Sequence, residues 1–136
     1  GACTYTAEFK WDGAREATRV FEFANPNGDA LWLSPSEKGR LVFGIRKGTK
    51  IEGVGATKPV NKGLWATVRV VLDGPRATLF LNGVRVGENT RMTLRPDSVA
   101  ATQCYLGRDL KGGLFGGMIG RFTVHSVALS DRTPPK

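Results

Sequence analysis

The fold of this chain is restricted most by two segments of alternating apolar and polar side chains, the second of which ends at an Asn-Gly pair. One face of the segment 65–72 carries Ala66, Val68, Val70 and Leu72. This two-residue period is typical of a half-buried β-strand and does not suit an amphipathic helix. A second alternating segment leads to Asn82-Gly83, two residue types that adopt the positive φ angles of a tight hairpin turn. The pattern therefore predicts antiparallel strands joined by a two-residue turn.

Both ends of the chain show the same alternation. Residues 2–11 place on one face Cys3, Tyr5, Ala7, Phe9 and Trp11. Near the other end, Met118, Gly120, Phe122 and Val124 alternate with Ile119, Arg121, Thr123 and His125. Between them, further strands are predicted at 18–24, 29–35 and 39–48, separated by turn-forming residues at 25–29 and 34–39.

Length and composition predict a single domain. The 136 residues suffice for one hydrophobic core, and 18 glycines with 7 prolines suit many short strands and turns. We expect one domain over residues 1–131 and a C-terminal tail over 132–136. No apolar run approaches the roughly 20 residues that a membrane-spanning helix needs, and no signal peptide is visible, so an export signal would have been removed or lie outside this sequence.

The order of these segments resembles a known family of jelly-roll domains. Its specific pieces are Trp65 with the strand after it, the hairpin LFLNGVRVG, the segment YLGR at 105–108 and the closing strand GMIGRFTV at 117–124. Together they resemble the laminin-G-like, concanavalin A-like lectin/glucanase domains of the bacterial LamG type. The resemblance implies an all-β fold, an antiparallel two-sheet β-sandwich. Family members usually carry one or two strands before the position of Ala2, so the resemblance also implies that leading strands are missing or are supplied by another segment or chain.

Catalytic motifs are absent from the sequence. Retaining glycosidases place two carboxylates about 5 Å apart, and related β-glucanases present them as E-x-D-x-x-E on one strand, a motif that does not occur here. The single histidine, His125, has no neighbouring Cys, His or carboxylate in the sequence to form a metal or catalytic cluster. We therefore expect a protein that is not an enzyme.

Two stretches have the chemistry of a sugar site, which needs an aromatic plate and planar hydrogen-bonding groups. The candidate ligand-binding residues are Asn25, Asn27, Asp29 and Trp32 in the first stretch and Arg108, Asp109, Lys111 and Phe115 in the second. A purely structural interpretation stands beside this one, because the loop residues also form turns and the tryptophan also packs into cores.

Charge and oxygen donors suggest what else the domain could bind. Twenty Lys and Arg against twelve Asp and Glu give a net charge of +8, which favours acidic polysaccharides. The basic residues are scattered and no nucleic-acid motif is present, so we expect no nucleic acid. We expect no cofactor. Calcium is the one alternative, since Asn27, Asp29 and Asp109 are oxygen donors of the right type, although their spacing matches no defined loop.

Cys3 and Cys104 leave two interpretations open. In an exported domain they would form a disulfide, and otherwise they are buried thiols that act as small apolar side chains. A bridge needs Cα atoms about 4.4–6.8 Å apart, which a sequence does not establish.

Two functions follow from these patterns. The first is a non-catalytic carbohydrate-binding or accessory module of a secreted bacterial multidomain protein or complex, located outside the cell, in the periplasm or at the cell surface. The alternative is a structural or protein-interaction domain that contacts a neighbouring domain or partner chain and binds no sugar.

Overall fold

The computed structural model describes residues 2–108 and 114–129 and consists almost entirely of strands and turns. The strands are β1 (Cys3–Trp11), β2 (Phe21–Ala24), β3 (Ala30–Glu37), β4 (Arg40–Lys47), β5 (Lys50–Gly55), β6 (Trp65–Asp73), β7 (Arg76–Leu81), β8 (Val84–Asn89), β9 (Gln103–Leu106) and β10 (Gly117–His125). The helical structure in these residues is one 3₁₀ turn, Pro96–Ser98, and no helix there is long and apolar enough to span a membrane.

Two antiparallel sheets of five strands form a sandwich. Sheet A has the order β10-β1-β6-β7-β8, and sheet B has the order β5-β4-β3-β2-β9. This arrangement confirms the predicted all-β fold. The first and last strands of the described chain are neighbours, because β1 lies between β10 and β6.

The core lies between the sheets and is rich in aromatic rings. The predicted inner faces of β1 and β6 are confirmed, since their apolar residues belong to one buried cluster. The ring of Tyr5 lies 5.5 Å from that of Phe21 and 5.9 Å from that of Phe43. Phe122 of β10 closes the group, with its ring 5.0 Å from that of Phe21. Aromatic pairs at these distances stabilise a core beyond the area they bury.

Two hairpin turns depend on positive φ angles. Asn82 and Gly83 have φ values of 51° and 84°, which confirms the predicted two-residue turn between β7 and β8. The predicted turn at 34–39 is wrong in extent, because β3 continues to Glu37 and the turn is confined to Lys38 and Gly39. The strand is longer because the carbonyls of residues 35 and 36 accept hydrogen bonds from residues 60 and 17, which hold an irregular stretch of β3 in place.

The alternation of β10 is interrupted by a β-bulge that the sequence did not predict. Glu8 pairs with Arg121 and Phe9 pairs with Ile119, so Gly120 has no partner on β1. The extra residue reverses which side chains of β10 point toward the core in the part of the strand that precedes it. Ile119 therefore packs against the core, whereas Met118 is 57% exposed on the outside. The prediction that Met118 and Gly120 share a face with Phe122 is wrong for this reason.

The two open sides of the sandwich differ. On the β5–β8 side, Asn89 Nδ2 donates to the carbonyl of Gly53 across the gap at 2.8 Å. On the opposite side β9 and β10 are sheet edges, and Leu106 and Val124 are 51% and 50% exposed.

Candidate functional site

The outer face of sheet B, which points away from the core, is centred on Trp32. Only 4% of this residue is exposed, and it forms a small buried cluster with Ala24 and Ala30 that is separate from the main core. Gly44 lies opposite it on β4, and a Cβ atom there would come within 2.5 Å of Cζ2 of the indole. The indole therefore rests against the backbone of β4, in a space that only glycine leaves open.

Two guanidinium groups cover the Trp32 ring. The Cζ atom of Arg19 lies 4.7 Å from the ring centroid, and that of Arg46 lies 5.7 Å away. The indole Nε1 donates to Oε1 of Glu37 at 3.1 Å. Attraction between a cation and a π face stabilises such contacts. Trp32 thus positions two cations and does not offer an open plate for a sugar.

Arg19 is held by two carboxylates. Its Nε lies 3.2 Å from Oε1 of Glu22, and its Nη1 lies 2.9 Å from Oε1 of Glu37. Glu22 is only 5% exposed, and a buried carboxylate is retained only with charged or hydrogen-bonding partners. Arg19 and the two glutamates therefore form a fixed base for this face.

Arg46 has donors left over for a ligand. Its Nε donates to the carbonyl of Gly28 at 3.2 Å, which fixes the plane of the guanidinium. Its two terminal nitrogens have no hydrogen-bond partner among residues 2–108 and 114–129. A planar group with two free NH₂ donors matches a carboxylate or sulfate in bidentate geometry.

Two more arginines lie on the same face. Tyr105 of β9 pairs with Glu22, and the Cζ atom of Arg108 lies 4.4 Å from the Tyr105 ring centroid. At the other end, Arg40 Nε donates to the carbonyl of Ala56 at 2.6 Å. The acid-binding face, as we call it, comprises Arg19, Arg40, Arg46, Arg108, Trp32, Tyr105, Glu22 and Glu37. Four guanidinium groups against two carboxylates leave this face positive.

The predicted loop residues lie beside this face and mainly shape the turn. Oδ1 of Asn25 accepts hydrogen bonds from the backbone N–H groups of Asn27 and Asp29 at 2.9 and 3.2 Å. Asp29 Oδ1 in turn accepts from the Gly48 N–H at 2.9 Å. This bond first, then the Asn25 amide and Lys47, holds the pKa of Asp29 below its ordinary value. Asn25 and Asp29 are buried, whereas Asn27 is exposed at the tip.

The second predicted stretch is only partly within the described residues. Arg108 belongs to the acid-binding face. Phe115 is 8% exposed and packs edge-on against Phe9, with the ring centroids 5.8 Å apart, so it contributes to the core. Asp109 and Lys111 lie outside the described residues. Ligand contact by the eight predicted residues stays a prediction.

Metal-binding groups are not clustered in the part of the chain that the structure describes. No group of three or more His, Cys, Asp or Glu side chains there could hold an ion. Of the three predicted calcium donors, Asp29 is already bonded to Gly48 and Lys47, and Asp109 lies outside the described residues.

The grouping of Arg19, Arg40 and Arg46 on one face was not predicted from the sequence. These residues are separated in the chain and belong to its scattered basic residues. The signal was the alternation of β4, where Leu41, Phe43 and Ile45 point into the core. Arg40, Gly44 and Arg46 therefore share the opposite face.

Cys3 and Cys104 are free thiols in the structure, half-buried and exposed respectively. Burial raises the pKa of the Cys3 thiol, and a hydrogen bond from Tyr5 lowers it in part. Burial also raises the pKa of Tyr5, with smaller contributions from both cysteines. The disulfide between Cys3 and Cys104 stays a prediction.

Comparison with known proteins agrees with this fold. A laminin-G-type family model, described as the concanavalin A-like lectin/glucanases superfamily, matches residues 1–133. The chain belongs to this superfamily. No curated protein matches it in sequence.

Solved structures similar to the chain include sugar-bound modules. One is domain 4 of an extracellular arabinanase from Geobacillus stearothermophilus in complex with arabinotriose (TM-score 0.76, 17% identity, 95% of this chain and 62% of that one). Another is the CBM40 module of the Ruminococcus gnavus IT-sialidase bound to α2,3-sialyllactose (0.82, 21%, 96% and 78%). A third is the LG4-5 pair of the mouse laminin α1 chain (0.69, 17%, 99% and 38%). This chain thus spans less than two thirds of the arabinanase and laminin structures, and at these identities the likeness shows the fold.

Proposed function

We propose that this protein is a non-catalytic carbohydrate-binding module of a secreted bacterial multidomain protein, and that its acid-binding face binds an acidic glycan. The observation that carries the proposal is Arg46. Its guanidinium is fixed by the Trp32 ring and the Gly28 carbonyl, and its terminal nitrogens remain available. A pre-oriented donor of this kind loses little entropy when it binds an anion.

The surroundings of Arg46 support an anionic ligand over a neutral one. Glu22 and Glu37 are both engaged by Arg19, so the positive charges of the face are only partly compensated. The formal charge of +8 adds a long-range attraction for polyanions. Structural neighbours that bind sialyllactose and arabinotriose support sugar as the ligand class.

The same ion pairs support a binding role without catalysis. A glycosidase needs one carboxyl group to transfer a proton and another to act as base or nucleophile. On this face Glu22 and Glu37 both contact one guanidinium, that of Arg19, so both carboxylates are held by a cation and neither points alone at a bound glycan. We therefore propose that the face holds a glycan without cleaving it.

Calorimetric titration with α2,3-sialyllactose and with lactose tests this function. We expect binding of the acidic sugar only, and weakening as sodium chloride rises from 0.05 to 0.5 M because salt screens exposed charges. Arg46→Ala should reduce the affinity about tenfold or more, since a charge-assisted bidentate contact is lost. Arg91→Ala is the matched control, because Arg91 is exposed and lies outside the acid-binding face.

Equal affinity for lactose and sialyllactose would contradict an acidic ligand. Equal losses in the Arg46 and Arg91 variants would mean that binding depends on net charge alone and would contradict a site at Arg46.

A second function, protein interaction, is favoured by the β9–β10 side of the sandwich. Apolar side chains that should be covered in a closed sandwich are about half exposed there, namely Leu106, Val124 and Val127. Exposed apolar edges pair readily with other chains. Native mass spectrometry of the protein and of its Val124→Glu variant tests this function. A complex that the variant abolishes would support it, and a monomer at 50 μM would contradict self-association.

A further inference from the structure

Trp65 presents a half-exposed aromatic ring on the outer face of sheet A, on the opposite side of the sandwich from the acid-binding face. It is the first residue of β6 and 50% of its surface is exposed. The other two tryptophans, Trp11 and Trp32, are 7% and 4% exposed. A half-exposed indole on a strand leaves apolar surface that a ligand could cover.

The Trp65 ring packs against the β-bulge in β10. A Cβ atom on Gly120 would lie 3.1 Å from Cζ3 and 3.4 Å from Cη2 of Trp65. Gly120 is on β10 and Trp65 is on β6, with β1 between them. The indole must therefore extend across β1 to reach the bulge, and it lies along the sheet instead of standing away from it. Lys10, between them on β1, places its ammonium 5.5 Å from the ring centroid.

A row of polar side chains crosses the sheet next to the ring. Register places Arg121, Glu8 and Thr67 side by side on β10, β1 and β6. Asn82 continues the row, because its Oδ1 accepts from the Thr67 N–H at 2.9 Å. Glu8 and Arg121 are not joined by an ion pair among the described residues. Their planar groups are therefore free to bond hydroxyls.

The row and the ring have the dimensions of a short oligosaccharide. Strands about 4.8 Å apart give the four-residue row a length of about 14 Å, and residues two apart on one strand place it about 7 Å from the ring. A cavity of about 60 Å³ lies at the start of β6, lined by Trp65 together with residues that include Asn61, Leu64, Leu81 and Asn82. The surface thus combines a plate, hydrogen-bonding groups and a shallow concavity.

We propose that Trp65, with the row Arg121, Glu8, Thr67 and Asn82, is a second glycan-binding site that takes a neutral oligosaccharide by stacking a pyranose ring on the indole. The apolar C–H face of a pyranose covers the exposed ring, and its equatorial hydroxyls reach the row. Glu8 offsets one of the two nearby cations, Arg121 and Lys10, so this surface carries one excess positive charge against two on the acid-binding face. The inference rests on the proposed glycan-binding function and adds a second ligand class on another surface.

Tryptophan fluorescence and calorimetry together test this site. The probes are cellohexaose, xylohexaose, mannohexaose and arabinotriose, each titrated into the full chain. We expect at least one neutral probe to shift the tryptophan emission and to protect it from acrylamide quenching. Because the other two tryptophans are buried, this change would report on Trp65.

Variants decide whether the ring itself binds. Trp65→Ala should lower the affinity for that probe about tenfold, whereas Trp65→Phe, which keeps a smaller plate, should lower it less. Val84→Ala is the matched control, since Val84 is 62% exposed on β8 and its truncation removes apolar surface elsewhere. Both Trp65 variants should retain sialyllactose binding, which also shows that they are folded.

The outcomes separate the two proposals. Binding of sialyllactose with no response to any neutral probe would overturn the Trp65 site and leave the acid-binding face in place. A neutral probe that binds equally to wild type and Trp65→Ala would also overturn it. Neutral binding that depends on Trp65, without sialyllactose binding, would support the second site and overturn the proposal for the acid-binding face.

Discussion

Glu52 fastens the loop after β8 to β5, and replacing it by glutamine should destabilise the fold in a pH-dependent way. Oε1 accepts from the backbone N–H groups of Thr93 and Leu94 at 2.8 and 2.7 Å, and Oε2 accepts from Thr93 Oγ1 at 2.6 Å. Burial alone would raise the pKa of Glu52, but these bonds and Lys50 lower it from 4.5 to about 2. The carboxylate is thus more stable in the folded than in the unfolded chain.

The magnitude follows from this difference in pKa. A fall from 4.5 to about 2 corresponds to at most ~3 kcal/mol of stability. Because Thr93 is exposed and solvent weakens its bonds, we expect Glu52→Gln to cost about 1–2 kcal/mol at pH 7. The folded pKa is the lower one, so this stability is complete above pH 4.5 and is lost as the pH falls toward 2.

Urea unfolding followed by tryptophan fluorescence measures the effect at pH 7, 4.5, 3 and 2. The control is Glu88→Gln, since Glu88 is 32% exposed and its ion pairs are long, at 3.6 and 3.8 Å. It should cost less than about 0.5 kcal/mol. The reasoning is refuted if the difference between wild type and Glu52→Gln is as large at pH 2 as at pH 7, or if the two variants are equally mild.

Three further predictions concern single positions. Gly44→Ala should lower the free energy of unfolding in urea by about 1–3 kcal/mol and weaken sialyllactose binding, because the new Cβ would lie 2.5 Å from the Trp32 ring. If both values are unchanged, the close packing of the indole against Gly44 is contradicted. Gly83→Ala should cost about 1 kcal/mol, because φ is 84° there, and a neutral result would argue against the two-residue turn. If Cys3 and Cys104 are free, thiol titration of the denatured, unreduced protein should detect both, whereas a disulfide would leave none.

The sequence predicts those parts of the fold in which each strand follows a simple alternation. The inner faces of β1 and β6 and the Asn82-Gly83 turn depend on local pattern and turn chemistry, and the structure confirms them. The register of β10 depends on Gly120, an unpaired residue that inverts the pattern before it. A bulge of this kind is a property of two paired strands, so neither strand alone reveals it.

The candidate site is less predictable because it is made by cross-strand neighbours. Trp32 was expected either in the core or at a sugar site. It packs in a small buried cluster on the outer face, where Arg19 and Arg46 cover it, and its contact with a sugar stays a prediction. Those contacts depend on how β3 and β4 are paired and on where the segment before β2 places Arg19. Trp65 falls on the outer side of β6 by alternation alone, so its placement was predictable, whereas its seat on Gly120 was not.

The adjacency of β1 and β10 determines how this domain would respond to mechanical tension. Thr4 lies opposite His125 in an antiparallel pair, so a pull that separates these two residues acts across the ladder and not along it. Hydrogen bonds that run perpendicular to the strands would then break one after another instead of sharing the load. A domain loaded in this way should open from the β10 edge at low force, before the rest of the sandwich yields.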